Sequence, residues 1–128
     1  MLKAIFTWWN GATIGARFDI TRRGAFVGED DQRNVYYEER RPSRDGRPRR
    51  YVIYNGVAEA SRVPPDWHGW LHYSIDQPPT VAPLRRQTWE RPHRPNMTGT
   101  IYAYRPPGSI ARGGDREGEP DYEPWTPR

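Results

Sequence analysis

The pattern of hydrophobic and polar positions separates an N-terminal part with clear periodicity from a C-terminal part with none. Apolar or small residues occupy every second position between Ala12 and Ile20, which predicts a half-buried β-strand. Three further short runs rich in aromatic and β-branched residues, at 25–28, 35–40 and 50–54, predict strands separated by tight turns. This part of the chain is therefore expected to form an antiparallel meander of three or four strands.

The first ten residues follow a helical period instead. Apolar side chains recur at positions i, i+3, i+4 and i+7 from Leu2 to Trp9, and Asn10-Gly11 would end such a helix. A helix this short is not stable alone in water, so its apolar face is expected to dock on the sheet, on a partner subunit or on a membrane surface. The adjacent pair Trp8-Trp9 favours an interface.

The segment after the last predicted strand marks a change in the chain. Asn55-Gly56 turns the backbone out of the sheet, and Pro64-Pro65 is followed at helical spacing by Trp67, Trp70 and Tyr73. Ten of the fourteen prolines come after Asp76. We expect a folded part over residues 1–75 and an extended, proline-rich, irregular tail over residues 76–128 that wraps partner subunits.

Composition agrees with a small folded part that depends on partners. Only 34% of the residues are hydrophobic, too few for one core built by the whole chain. Yet six Trp, eight Tyr and three Phe argue against full disorder, because disordered segments are poor in aromatic residues. The predicted fold class is mainly β, with a short N-terminal helix, a small antiparallel sheet and a long tail that orders against another protein.

The net charge is +4, and Lys3 is the only lysine among twenty basic residues, which leaves nineteen arginines. Arginine pairs with carboxylate or phosphate through two parallel hydrogen bonds and stacks on aromatic rings. Six arginines lie between residues 40 and 50, opposed there by Asp45. This run is consistent with a solvated hairpin tip, a contact with an acidic protein surface or a contact with nucleic-acid phosphate.

No credible active site or metal site is present in the sequence. There is no cysteine, so the chain has no thiolate for a metal or an iron–sulfur cluster. His68 and His72 at i, i+4 beside Asp66 are more easily explained by packing among tryptophans than by zinc binding. Phosphate-binding loops and nucleophile elbows are missing. No apolar run is long enough to span a membrane, and neither a secretory signal nor a mitochondrial presequence is expected.

Several blocks of the sequence resemble one known family. They are WWNGATIGARF (8–18), VGED (27–30), NVYYEER (34–40), RYVIYNGVAEASRVPPDWHGWLH (50–72), PHRPNMTGT (92–100), YRPPGS (104–109) and DYEPWTP (121–127). Together they are similar to the small accessory subunit of respiratory complex I, the proton-pumping NADH:ubiquinone oxidoreductase, a family shared by mitochondria and some bacteria. The resemblance covers nearly the whole chain.

The resemblance implies a non-catalytic subunit that supports assembly and stability of the complex. It implies a place on the peripheral arm near the membrane arm, against the iron–sulfur and quinone-site subunits, on the cytoplasmic face in bacteria or the matrix face in mitochondria. The absence of a presequence favours a bacterial source. FMN and iron–sulfur clusters are expected on neighbouring subunits and none on this chain. No nucleic-acid partner and no homo-oligomer are expected.

Two alternatives remain beside this interpretation. One is an assembly factor of the same family, and the other is an RNA- or ribosome-binding protein, because exposed aromatics interleaved with arginine also suit single-stranded nucleic acid. In the favoured interpretation, Trp67 and Trp70 insert into a neighbouring subunit as a wedge, and Trp70→Ala loosens the chain from the complex. The predicted partner-binding residues are Trp8, Trp9, Arg17, Tyr36, Tyr37, Arg50, Arg62, Trp67, His68, Trp70, Trp89, Tyr102, Tyr104, Tyr122 and Trp125.

Overall fold

A computed structural model describes residues 5, 11–106, 109–112 and 125–127 of the chain. Its regular elements, in chain order, are α1 (Ile14–Arg23), β1 (Gly24–Glu29), β2 (Val35–Pro42), β3 (Pro48–Ile53), a 3₁₀ turn (Ala60–Arg62), α2 (Pro65–Leu71) and a second 3₁₀ turn (Ile110–Arg112). The predicted fold class, a small antiparallel sheet followed by an irregular tail, is confirmed. The helix predicted for residues 1–10 lies outside the described residues except for Ile5.

The three strands form one antiparallel sheet in the order β1-β2-β3. They correspond to the runs predicted at 25–28, 35–40 and 50–54, so those three predictions are confirmed. A bulge between Phe26 and Gly28 shifts the register of β1 against β2. Beside the bulge, Phe26 pairs with Tyr37 and Tyr37 pairs with Tyr51, so that one aromatic row crosses all three strands.

The strand predicted for residues 12–20 is wrong, because this segment is the helix α1. Thr13 caps its N-terminus, where the Thr13 hydroxyl accepts a hydrogen bond from the Ala16 N–H at 3.2 Å. An ion pair of 2.9 Å joins Asp19 and Arg23 one turn apart. Alternation misleads here because it counts small residues such as Ala12 and Ala16 as part of the apolar face of a strand, although α1 has no buried residue at all.

The core lies between one face of the sheet and the helix α2. Pro65 occupies the first turn of α2, where its missing N–H costs nothing, and the helical spacing predicted for the tryptophans is confirmed. The buried cluster consists of Tyr36 from β2, Val63 from the preceding loop, and Trp67 and Trp70 from α2. The partly buried side chains packed against it are Val27, Val52, Tyr54 and Leu71.

Gly28 allows the chain beyond α2 to approach the sheet closely. A Cβ atom at Gly28 would lie 2.6 Å from the Thr80 methyl group and 2.8 Å from the Trp67 ring. Residues as far as Thr80 therefore pack beside the core, although they form no helix or strand. Further along, the His93 Nε2 atom lies 2.9 Å from the Ser61 carbonyl oxygen.

The chain divides into two compact units, residues 1–95 and residues 96–128. The second unit consists of local turns in its described part, such as the one in which the Thr98 N–H donates to the Asn96 side chain at 3.0 Å. Helices of the kind that cross a bilayer, long and apolar throughout, do not occur in the described residues.

Candidate protein-interaction surface

The tryptophans expected to insert into a neighbour instead form the core of the first unit. Trp67 is 4% exposed and stacks on Tyr36 with ring centroids 3.9 Å apart and planes 5° from parallel. Trp70 is 1% exposed and meets Trp67 edge to face at 5.6 Å. The predicted wedge is therefore corrected, because the chain already buries both side chains in its own interior.

Asp30 organises the loop between β1 and β2. One carboxylate oxygen of Asp30 accepts hydrogen bonds from the N–H groups of Gln32 and Asn34, each at 2.9 Å. The other accepts from the Asn34 side-chain amide at 2.8 Å and from the Tyr36 hydroxyl at 2.7 Å. This carboxylate thus fixes the loop and provides a partner for the hydroxyl of a fully buried tyrosine, which is a structural role.

The buried amide of Asn34 extends this network to the segment after β3. Its oxygen accepts from the Asn55 N–H at 3.0 Å, and its nitrogen donates to the Arg62 carbonyl oxygen at 3.3 Å. A buried side-chain amide satisfied on both sides fixes the positions of the segments that it joins. The turn predicted at Asn55-Gly56 is present, with Gly56 at φ +100°, a conformation that favours glycine.

Tyr36 gives the fold a predicted loss of stability at alkaline pH. Burial, together with the hydrogen bond to Asp30, raises the pKa of Tyr36 well above its ordinary value of 10.0. The unfolded chain releases this proton near pH 10, whereas the folded chain keeps it. The contribution of Tyr36 to the free energy of unfolding is therefore fully present below about pH 10 and is lost as the pH rises further. Burial also raises the pKa of Tyr54.

We expect Tyr36→Phe to flatten this decline. At neutral pH the variant should also lose about 1–3 kcal/mol of unfolding free energy, because the Asp30 carboxylate loses a donor. Urea unfolding of the full chain at about pH 8 and about pH 10.5 measures both effects. Tyr104→Phe is the matched control, since Tyr104 is exposed. A decline as steep in Tyr36→Phe as in the wild type would contradict the assignment to Tyr36.

Arg50 is also internal, although the sequence placed it with the partner-binding residues. Its Nε donates to Glu38 at 2.9 Å, and its Nη1 donates to the carbonyl oxygens of Trp70 and Ile75. The guanidinium also lies over the ring of Trp70 at 4.7 Å from the ring centroid. Arg50 therefore connects β2, β3 and the end of α2.

The chain matches the family model described as NADH ubiquinone oxidoreductase subunit NDUFA12 over residues 24–127. The chain belongs to the NDUFA12 family. Within it, the chain is 42% identical over 101 residues to NADH dehydrogenase (ubiquinone) 1 alpha subcomplex subunit 12 of Bos taurus, covering 70% of this chain and 68% of the relative. The resemblance seen in the sequence blocks, to a complex I accessory-subunit family, is confirmed.

Other relatives come from distant organisms. The subunit of the same name in Dictyostelium discoideum is 38% identical over 89 residues, covering 68% of this chain and 63% of the relative. An uncharacterised protein of Rickettsia prowazekii is 42% identical over 69 residues, covering 53% of this chain and 69% of the relative. The NDUFA12 match begins at the first residue of β1, so α1 lies outside it.

The predicted partner-binding residues differ in their exposure to solvent: some lie on the surface and others are internal. The exposed residues among those described are Arg17, His68, Trp89, Tyr102, Tyr104 and Trp125. Tyr37 and Arg62 are half-buried, Tyr36 is buried, and Trp8, Trp9 and Tyr122 lie outside the described residues. Trp89 is 78% exposed and borders a concavity of about 510 Å³ together with Leu84 and Arg91. A large exposed aromatic of this kind is typical of an interaction site.

Sequence reasoning missed the apolar residues on the outer face of the sheet and on α1. Phe26 is 64% exposed at the edge of the aromatic row, and its ring meets Tyr37 edge to face at 6.1 Å. Ile14 and Phe18, one turn apart on α1, are exposed as well. The i, i+4 spacing of that pair is the signal that could have indicated an apolar helix face.

His68 of α2 and His72, which caps the end of that helix, lie on the surface of the first unit. The rings of His68 and His72 are 4.2 Å apart, as their i, i+4 spacing dictates. Across the described residues, no three side chains of His, Cys, Asp or Glu come together as metal ligands could. Two carboxylates near the sheet have structural contacts, Asp30 in its loop and Glu38 in its ion pair with Arg50.

Proposed function

We propose that this chain is a non-catalytic accessory subunit of proton-pumping NADH:ubiquinone oxidoreductase, on the peripheral arm near its junction with the membrane arm, where it supports assembly and stability. The observation that carries the proposal is the NDUFA12 match, which extends over residues 24–127 and so includes both the folded unit and the tail. A match that reaches the tail favours the resident subunit over an assembly factor of the same family.

The exposed surface of the chain supports a role in binding other proteins. Large aromatic side chains are exposed in both units, Trp89 in the first and Tyr104 in the second. Aromatic residues and arginine carry most of the binding energy at protein interfaces. We propose that the partners are the iron–sulfur and quinone-site subunits, with the tail lying along them. Iron–sulfur clusters then belong to those neighbours, since this chain has no cysteine to ligate them, and we propose the same for FMN.

The location follows from the same proposal. The complex is membrane-associated, and we place this chain at the inner membrane on the cytoplasmic face of a bacterium. The relative in Rickettsia prowazekii is a chain from a bacterium and is in keeping with that choice. Contact of residues 1–10 with the membrane surface is part of the proposal.

Deletion of the gene in its own organism tests the proposal. We expect the amount of intact complex on native gels to fall severalfold, while NADH:ubiquinone turnover per assembled complex stays unchanged. Full-length chain should restore the complex and co-purify with it in stoichiometric amount. A chain that is absent from the purified complex and instead sediments with ribosomes would overturn the proposal in favour of RNA binding.

A further inference from the structure

The arginines between residues 40 and 50 fall into two groups that the sequence does not distinguish. Arg50 is internal, with a side chain only 8% exposed. The other five lie on the hairpin formed by β2, β3 and their turn, which we call the basic hairpin (residues 40–49), and all five are exposed: Arg40, Arg41, Arg44, Arg47 and Arg49.

The basic hairpin has an ordered turn at its tip. The Ser43 N–H donates to the Arg47 carbonyl oxygen at 2.9 Å, and the Gly46 N–H donates to the Ser43 carbonyl oxygen at 2.9 Å. Gly46 adopts φ +74°, the left-handed conformation that such hairpin turns require. The arginines are therefore presented from a defined backbone and not from a free loop.

Nearly all of this positive charge is uncompensated within the described part of the chain. The two ion pairs found there, Arg23–Asp19 and Arg50–Glu38, involve none of the five hairpin arginines. Arg40 donates one hydrogen bond, to the Arg22 carbonyl oxygen at 3.4 Å. Several exposed guanidinium groups close together produce a positive potential that attracts an anionic partner.

A polar concavity of about 470 Å³ lies at the hairpin, bordered by Ser43, Asp45, Arg47, Arg49 and Tyr73. The Tyr73 ring already holds two guanidinium groups, that of Arg47 at 5.6 Å and that of Arg50 at 4.6 Å from the ring centroid. The Tyr73 hydroxyl donates to the Pro48 carbonyl oxygen at 2.7 Å. The concavity thus has two guanidinium groups against one carboxylate, that of Asp45, and its one aromatic ring is occupied.

We propose that the basic hairpin docks on a carboxylate-rich surface of a neighbouring protein subunit, with a carboxylate seated between Arg47 and Arg49. This inference rests on the proposed function. Arginine's planar fork matches a carboxylate with two parallel hydrogen bonds. Nucleic acid fits less well, because the Tyr73 ring beside the concavity is already covered by two guanidinium groups and is not free to stack on a base.

Site-directed cross-linking tests the inference, and the near absence of lysine makes it selective. Lys3 is the only lysine in the chain, so Arg44→Lys or Arg49→Lys adds one amine to the hairpin while keeping its charge. A water-soluble carbodiimide joins an amine to a carboxylate only where the two touch. In the purified complex, we expect both variants to form amide cross-links to Asp or Glu of a neighbouring subunit. Arg33→Lys, at an exposed arginine in the loop between β1 and β2 and away from the hairpin, is the matched control and should form none.

A charge-removal variant gives a second readout. Arg44→Gln/Arg49→Gln should weaken binding of the full chain to complex prepared without it by about tenfold at low salt. The difference in affinity between this variant and the wild type should shrink as salt screens the attraction between the arginines and the carboxylates. Arg22→Gln/Arg33→Gln removes the same charge from exposed positions elsewhere in the first unit and should bind like the wild type.

The outcomes separate the two proposals. If the wild-type chain is missing from the complex, the proposed function fails. If it is present, but the lysine variants give no hairpin cross-link and the Arg44→Gln/Arg49→Gln variant binds like the wild type, the hairpin inference alone is wrong. Hairpin-dependent binding to ribosomes or to vesicles with anionic lipid, without a protein cross-link, would overturn it as well.

Discussion

Trp70→Ala is expected to unfold the first unit and not merely to loosen the chain from a partner. Trp70 is 1% exposed and meets both Trp67 and Tyr36 edge to face, so truncation removes the centre of a small core. Replacing a buried tryptophan with alanine costs about 3–5 kcal/mol of unfolding free energy. That is a large share of the total in a domain with so few buried residues.

Denaturant unfolding of the isolated full chain measures this effect, and Trp89→Ala is its control. Trp89 is 78% exposed, so its removal should change the unfolding free energy by less than about 0.5 kcal/mol. Trp89→Ala should fold and yet bind less tightly, since an exposed anchor is lost. A Trp70→Ala chain that unfolds like the wild type but leaves the complex would restore the wedge hypothesis.

The two tryptophans of α2 show what the spacing of aromatic residues can and cannot predict. Positions i and i+3 after Pro65 correctly predicted a helix with both rings on one side. The spacing does not indicate whether that side faces the chain's own sheet or another protein, since both are apolar surfaces. Tyr36 decides the matter by stacking on Trp67, and that contact depends on the register of β2, which short-range patterns do not define.

The strand prediction for residues 12–20 failed for a different reason. Alternation identifies a strand when one face is buried, but α1 buries neither face, so no packing constrained the pattern there. Local signals then decided the structure, above all the Thr13 cap and the Asp19–Arg23 pair. The predictions of the hairpin strands were correct because the turns that join them are determined by residues close together in the sequence. Gly46 at φ +74° closes the second hairpin within a few residues.

The arginine run illustrates the same limit for the interaction surface. From the sequence, Arg49 and Arg50 are equivalent neighbours in one basic stretch. In the structure they point to opposite faces of β3, and Arg50 faces Glu38 and Trp70 while Arg49 borders the hairpin concavity. Which arginine is internal depends on Glu38 being its cross-strand partner, and that pairing is set by the register of β2 against β3.

Arg50→Gln is the second variant with a large expected effect. Arg50 donates to Glu38 at 2.9 Å, to the Ile75 carbonyl oxygen at 3.2 Å and to the Asp76 carbonyl oxygen at 3.1 Å. Glutamine cannot reach these acceptors together, so Glu38 loses its partner and the chain after α2 loses its attachment to β3. Removing one partner of a buried ion pair costs about 3–5 kcal/mol, and the partial exposure of Glu38 places the expected loss near the lower figure.

Two controls and a local measurement make this prediction specific. Arg49→Gln removes the same charge one residue away and should shift the unfolding free energy by less than about 0.5 kcal/mol. Arg50→Lys keeps the charge but not the fork, so its loss should lie between those of the other two variants. Hydrogen exchange should accelerate most at residues 70–76, because Arg50 holds three carbonyl oxygens there. Equal losses in Arg49→Gln and Arg50→Gln would show that net charge matters here and that these contacts do not.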